Sequence, residues 1–179
     1  LLIVSMRDRK LLRREADGRI VEHADLSGVA RGYANDMAVD RHGHAYVGSF
    51  GFDLMGGAPV ETASLACVSP EGAVRNVADG LYFPNGAMVT PDGKTLIVAE
   101  CMAHRLTAFD INDVGELSQR RVWAQFAADV HPDGICLDAE GAVWVANPEG
   151  KDKVFRVLKG GHITHRVAVS TDAFAVMLG

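Results

Sequence analysis

The sequence predicts an all-β fold built from repeated four-stranded antiparallel units, and three observations predict it. Short runs rich in Val, Ile and aromatics, such as HAYVGS, TLIVAE, AVWVAN and VFRVLK, alternate with turn signals, and almost nothing recurs at helical period. A polar residue followed by glycine separates these runs at His42-Gly43, Asp92-Gly93 and Glu140-Gly141, which is hairpin-turn chemistry. The chain also repeats itself. NDMAVDRHGHAYVGSF from Asn35, NGAMVTPDGKTLIVAE from Asn85 and DGICLDAEGAVWVAN from Asp133 align with at most a one-residue gap, at spacings of 50 and 48 residues. Four strands in such a period are the signature of a β-propeller blade.

In chain order, residues 1–28 read as the last three strands of an incomplete blade, LLIVSM and then KLLRREADGRIVEHADL. Full blades follow over 33–79, 81–124 and 130–170. Each opens with the repeated segment and continues into a second strand pair: LACVSPEGAVRNVAD, then RLTAFDINDVGELSQRRVWA, then KVFRVLKGGHITHRVAV. Residues 173–179 resemble the start of another blade. The chain thus covers roughly four blades, fewer than most closed rings contain, and reads as an internal part of a longer propeller. An open array that closes on a second chain is the alternative, and an unclosed edge strand is an expected route to self-association.

Composition removes several function classes. The net charge of -5 and the lack of a Lys/Arg cluster argue against nucleic acid. The densest basic run, RKLLRR from Arg9 to Arg14, interleaves its charges with leucines and reads as a solvated strand edge. No apolar run approaches membrane-spanning length. Cys67, Cys101 and Cys136 are odd in number and lack CxxC spacing, which fits reduced core thiols and a cytoplasmic location.

The alignment separates three look-alike tripeptides. Pro91-Asp92-Gly93 falls in the hairpin between first and second strands, where Pro presets φ and Gly supplies positive φ. Pro132-Asp133-Gly134 falls instead opposite Pro84-Asn85-Gly86 and Ala34-Asn35-Asp36, where each innermost strand begins. Asn35, Asn85 and Asp133 should therefore approach one axis, and three oxygen-bearing side chains suit a hard divalent cation. The alternative is local: Asn-Gly is also a hairpin signal, and an Asx side chain often caps its own backbone.

These segments resemble the senescence-marker-protein (regucalcin), gluconolactonase and luciferin-regenerating-enzyme family of six-bladed propellers. The resemblance rests on NDMAVDRHGHAYVGSFGFDLMGG, GLYFPNGAMVTPDGKTLIVAE, RLTAFDI and HPDGICLDAEGAVWVA, which look like its bacterial sugar-lactone lactonase branch. It implies a metal-dependent hydrolase that opens sugar lactones, with metal ligands at Asn85 and Asp133 and a substrate-contacting asparagine at Asn35. Calcium is the first candidate; magnesium, manganese, zinc and ferrous iron are the others. The family's third side-chain ligand, a glutamate in a Glu-Gly-Pro motif, has no counterpart in this sequence. Tyr33 stands at a substrate-facing position where some relatives carry arginine.

On that reading Asp133 binds the metal and acts as general base towards water. Strand parity puts Ser49, Glu100, Asn147 and the long loop GSFGFDLMGGAPVETAS on the rim of the same site. Asp53 of that loop is a substrate-contact candidate. Glu100 and His131 are candidates for orienting groups at the site. Asp110 to Gly115 imitates a calcium loop but lacks its ligands, so it reads as a hairpin turn. The partner is a small sugar lactone, with neither nucleic acid nor membrane. The competing functional readings are a non-catalytic propeller that binds a ligand or protein, and an inactive fragment.

Overall fold

The computed structural model describes residues Leu1–Gly179 throughout, and it is all-β apart from one 3-10 turn at Cys101–Ala103. Its strands form four antiparallel sheets in which consecutive strands are always neighbours. The first sheet has three strands, β1 (Leu2–Ser5), β2 (Lys10–Arg14) and β3 (Ile20–Asp25). The second has four: β4 (Ala34–Val39), β5 (Ala45–Ser49), β6 (Ala63–Val68) and β7 (Val74–Leu81). The third comprises β8 (Pro84–Val89), β9 (Thr95–Glu100), β10 (Arg105–Ile111) and β11 (Leu117–Gln125). The fourth comprises β12 (Ile135–Leu137), β13 (Val143–Ala146), β14 (Val154–Val157) and β15 (Ile163–Val167). Four-stranded antiparallel meanders of this kind are propeller blades. Residues 173–179 carry no assigned strand, although the Phe174 carbonyl accepts the Gly134 N–H at 2.9 Å.

Two compact units divide the chain: Leu1–Pro84 with Asp113–Glu116, and Asn85–Asn112 with Leu117–Gly179. In the first, Leu11, Leu26, Val47 and Val68 pack with alanines 24, 30, 34, 45 and 66, whose small side chains let two sheets approach closely. In the second, Ile97, Leu106, Trp123, Val143, Val145 and Phe155 form the core. Burial follows strand position. β5 is buried along its whole length, whereas the outer strands β3 and β15 are largely exposed. A strand covered on both faces reads as a continuous apolar run, and an outer strand needs only one such face.

The hairpins share a device. Asp40, Ser69, Thr90 and Asp138 each stand first in a turn and use a side-chain oxygen to receive the N–H of the residue that resumes the next strand. His44 N–H reaches Asp40 Oδ1 at 2.9 Å, Ala73 reaches Ser69 Oγ at 3.3 Å, Thr95 reaches Thr90 Oγ1 at 3.0 Å, and Ala142 reaches Asp138 Oδ1 at 3.0 Å. Gly43, Gly72, Gly93 and Gly141 complete these turns at φ between +72° and +92°, the region L side chains avoid. The turn from Asn112 to Glu116 joins β10 to β11 as a hairpin.

RKLLRR corrects one expectation. β2 is the middle strand of its sheet, paired with both β1 and β3, and Leu11 is fully buried. Its charges are accommodated beside this buried leucine by pairing across to β3, where Lys10 meets Glu22 at 2.7 Å and Arg13 meets His23 at 3.2 Å, and locally, where Arg13 meets Glu15 at 2.7 Å.

Candidate functional site

The innermost strands begin with the residues singled out by the repeat. In the second unit, Gly86 N–H donates to the Asp133 carbonyl at 3.2 Å, which sets the starts of β8 and the β12 segment side by side. Asp133 N–H donates to the Ala146 carbonyl at 2.9 Å, and Ala146 N–H to the Gly134 carbonyl at 2.9 Å, so the end of β13 clamps the same segment. Gly86 and Gly134 do not have positive φ; a neighbouring backbone excludes their side chains instead. A Cβ would lie 2.4 Å from the Asp133 carbonyl oxygen in the first case and 2.7 Å from the Phe174 carbonyl oxygen in the second. The Asn-Gly and Asp-Gly pairs here are therefore close-approach elements rather than hairpin turns.

Asn85 is only 6% exposed. It stands next in sequence to Gly86, the glycine bonded to Asp133. One amide oxygen and one carboxylate are the donor types of a hard cation. No group of three or more His, Cys, Asp and Glu side chains gathers for a metal, so a cation held here would complete its shell with amide or carbonyl oxygens and water. On donor chemistry the residues fit such an ion.

Cys101 belongs to this neighbourhood and was not predicted. Its thiol is pushed up to about 12, chiefly by burial and further by the negative charges of Asp133 and Glu149. No sequence pattern links position 101 to position 133; the repeat only places Cys101 one residue after the end of a second strand. His131, two residues before Asp133, is fixed from both sides. Its N–H donates to Asn147 Oδ1 at 2.8 Å, its ring packs edge-on to His104 at 4.7 Å, and its Nε2 lies 3.5 Å from Glu149 Oε2. Asn147 also donates to the Asp152 carbonyl at 3.0 Å, so this rim residue organises the segments flanking Asp133.

Glu100 is fully buried at the end of β9. Arg105 Nε and Nη2 grip its carboxylate at 2.8 and 3.1 Å, Thr107 Oγ1 donates to it, and Arg120 Nη2 approaches within 3.3 Å. These partners come from β10 and β11 of its own sheet, so the charge is satisfied inside the blade.

Asn35, Tyr33 and Asp53 belong to the first unit. Asn35 Nδ2 donates to the Pro84 carbonyl at 3.2 Å. The neighbouring Asp36 keeps exposed surface but is recessed enough for desolvation to push its carboxyl up, against the opposing bond from Met37 N–H at 2.8 Å. Asp53 Oδ1 accepts the Gly56 N–H at 2.9 Å and so caps the backbone of its own loop. Ser49 pairs with Ala34 across β5 and β4, and its hydroxyl is buried without a partner. Tyr33, Phe50 and Met55 face the segment Ser5–Asp8 across a cavity of about 460 Å³.

Residues 1–178 match the SMP-30/Gluconolactonase/LRE-like region, and the chain belongs to that family. It is 32% identical to regucalcin of Danio rerio over 114 residues, covering 63% of this chain and 38% of that protein. With regucalcin of Homo sapiens the identity is 30% over 118 residues, with the same two coverages. Among solved structures, a gluconolactonase from Xanthomonas campestris superposes with a TM-score of 0.76 at 25% identity, over 97% of this chain and 60% of that one. A calcium-binding regucalcin from Agrobacterium tumefaciens gives 0.76 at 26% identity, over 92% and 55%. A luciferin-regenerating enzyme shares the fold, with a TM-score of 0.81 at 19% identity. The matched part spans 38% of the length of these two curated relatives. Among the helices, none is long and apolar enough to cross a membrane.

Proposed function

We propose that this chain carries part of the active site of a divalent-cation-dependent hydrolase that opens sugar-derived lactones, with Asp133 as its central residue. The observation that carries this reading is the burial of Asn85 at a strand start bonded directly to that of Asp133. Membership of a family that includes gluconolactonase supports lactone hydrolysis at a coarse level.

Asn85 and Asp133 are the ligands this reading assigns, with calcium foremost and magnesium, manganese, zinc or ferrous iron as alternatives. When bound, the cation polarises the lactone carbonyl and stabilises the oxyanion. Asp133 accepts a proton from the attacking water while the water oxygen adds to the carbonyl carbon. The ring C–O bond then breaks, the departing oxygen takes a proton, and an open hydroxy acid results. Asn35, Tyr33 and Asp53 are assigned to substrate contact. His131, anchored by Asn147, positions the strand start that carries Asp133, and Glu100 supports the end of β9.

The test is proton release from gluconolactone with calcium and then with a chelator, alongside calcium titration calorimetry, for the chain and for Asp133→Asn. Calcium-dependent release above the spontaneous rate, lost together with calcium affinity in the variant, is the expected result. Turnover or calcium affinity that survives the substitution refutes the assignment.

A further inference from the structure

The cavity at Tyr33 lies wholly within the first unit, and apart from Tyr33 itself its lining is not used by the lactonase reading. Its volume of about 460 Å³ is that of a small-ligand site. Its floor is aromatic: Phe50 stacks on Phe83 at 4.4 Å, and Tyr33 leans on Phe50 at 5.6 Å. Two thioethers flank the floor, Met6 at 42% and Met55 at 69% exposure, so apolar surface is left uncovered. Met side chains adapt to a flat ring and make favourable sulfur–aromatic contacts.

Backbone strain converges on the same place. Arg9 and Phe83 are the non-glycine residues of the first unit with positive φ, at +53° and +55°. Phe83 carries the ring beneath Phe50, and Arg9 directly follows the lining segment Ser5–Asp8. Bulky residues held in that region cost energy, and such strain collects at functional sites.

The polar groups narrow the ligand. Ser5 Oγ donates to Asp8 Oδ2 at 2.6 Å, which occupies one oxygen of that carboxylate. The Arg7 guanidinium, by contrast, makes no ion pair or hydrogen bond, and the Tyr33 hydroxyl has no partner. An unpaired guanidinium is a fork for a carboxylate. Asp8 is an acid in the same lining, so a ligand must turn its carboxylate to Arg7 and away from Asp8, which favours a rigid, flat molecule charged at one end.

We propose that this cavity binds a small monocyclic aromatic carboxylate, with the ring over Phe50 between Met6 and Met55 and the carboxylate on Arg7. The cavity shares Tyr33 with the lactonase reading, but the proposal does not depend on lactone hydrolysis, and its test measures binding rather than turnover. The six methionines, labelled with ¹³C at the methyl group and assigned by single Met→Leu exchanges, are followed by NMR during titration with benzoate. Benzyl alcohol and acetate serve as comparison ligands.

Benzoate is expected to shift the Met6 and Met55 signals selectively and to bind about tenfold tighter than benzyl alcohol, the scale of one charge-assisted contact. Arg7→Gln, an exchange at an exposed position, should abolish that tenfold preference while leaving the ligand-free spectrum intact. Acetate should leave both signals unmoved. Absence of shifts at millimolar benzoate, or shifts centred on other methionines, overturns the site. Equal affinity for benzoate and benzyl alcohol, or a preference that survives Arg7→Gln, overturns the carboxylate assignment.

Discussion

Gly86 donates its backbone N–H to the Asp133 carbonyl at 3.2 Å across a gap too narrow for any side chain. Through this contact Asn85 and Asp133 are tied to neighbouring strand starts. Gly86→Ala would place a Cβ 2.4 Å from a carbonyl oxygen and 2.7 Å from the Ile135 nitrogen, both backbone atoms that cannot rotate away. The expected loss is about 1–3 kcal/mol by urea unfolding, typical of overpacking, with calcium affinity falling in parallel. Unchanged stability would show that the two strand starts separate freely.

Asp40 predicts an acid dependence. Burial pushes its carboxyl up, but the N–H groups of His44 and His42 and the His44 ring outweigh this, and the net shift is downward. A carboxyl depressed by folding contributes stability above its unfolded value of about 4 and loses it as pH falls through the folded value. Asp40→Asn should therefore cost about 1–3 kcal/mol near neutrality. In urea melts over a pH series, the difference from the parent chain should shrink towards zero under strongly acidic conditions. A difference independent of pH would exclude charge as its source.

Ser49 presents the opposite case, a buried hydroxyl with no partner. Removing an unsatisfied polar group relieves its desolvation cost, so Ser49→Ala should be neutral or stabilising, by up to about 2 kcal/mol on that scale. A clear drop in thermal stability would reveal a partner for the hydroxyl in solution.

The thiols supply a reporter on Asp133. Cys101, Cys67 and Cys136 all have raised pKa values, with burial as the leading cause. Thiolate is the reactive form, so iodoacetamide should modify the folded chain slowly at mildly alkaline pH. Because the Asp133 charge adds to the rise at Cys101, Asp133→Asn should accelerate alkylation there and leave the other two unchanged, as read by peptide mass mapping in the presence of chelator. Equal rates at Cys101 in both chains would separate the two residues electrostatically.

Much of this architecture was legible because a repeat exposes what a single segment hides. Gly93 and Gly86 follow Asp92 and Asn85 in almost identical tripeptides, yet alignment assigned one to a turn and the other to a strand start. Their backbones differ accordingly, with φ of +72° at the first and a side-chain-excluding approach at the second. What stayed hidden depends on contacts distant in sequence. Glu100 looked available until Arg105 and Arg120 reached it from two later strands. His131 carries no sign that Asn147 holds its backbone. RKLLRR has the composition of an edge, and only pairing on both sides makes it a central strand. The side-chain oxygens at Asp40, Ser69, Thr90 and Asp138 were visible as letters, but Pro and Gly drew attention from them.

The linkage between successive inner strands also sets an order of assembly. Gly86 bonds to a carbonyl 47 residues further along the chain, and Gly134 to one 40 residues further. On a translating ribosome, which adds about 5–20 residues per second, the Gly86 N–H waits some seconds for its acceptor to be synthesised and to leave the exit tunnel. Each blade can pair its own strands as it emerges, but the contact made by Gly86 waits for the blade that follows. Asn85 is thus a late-maturing position, secured after its own sheet is complete.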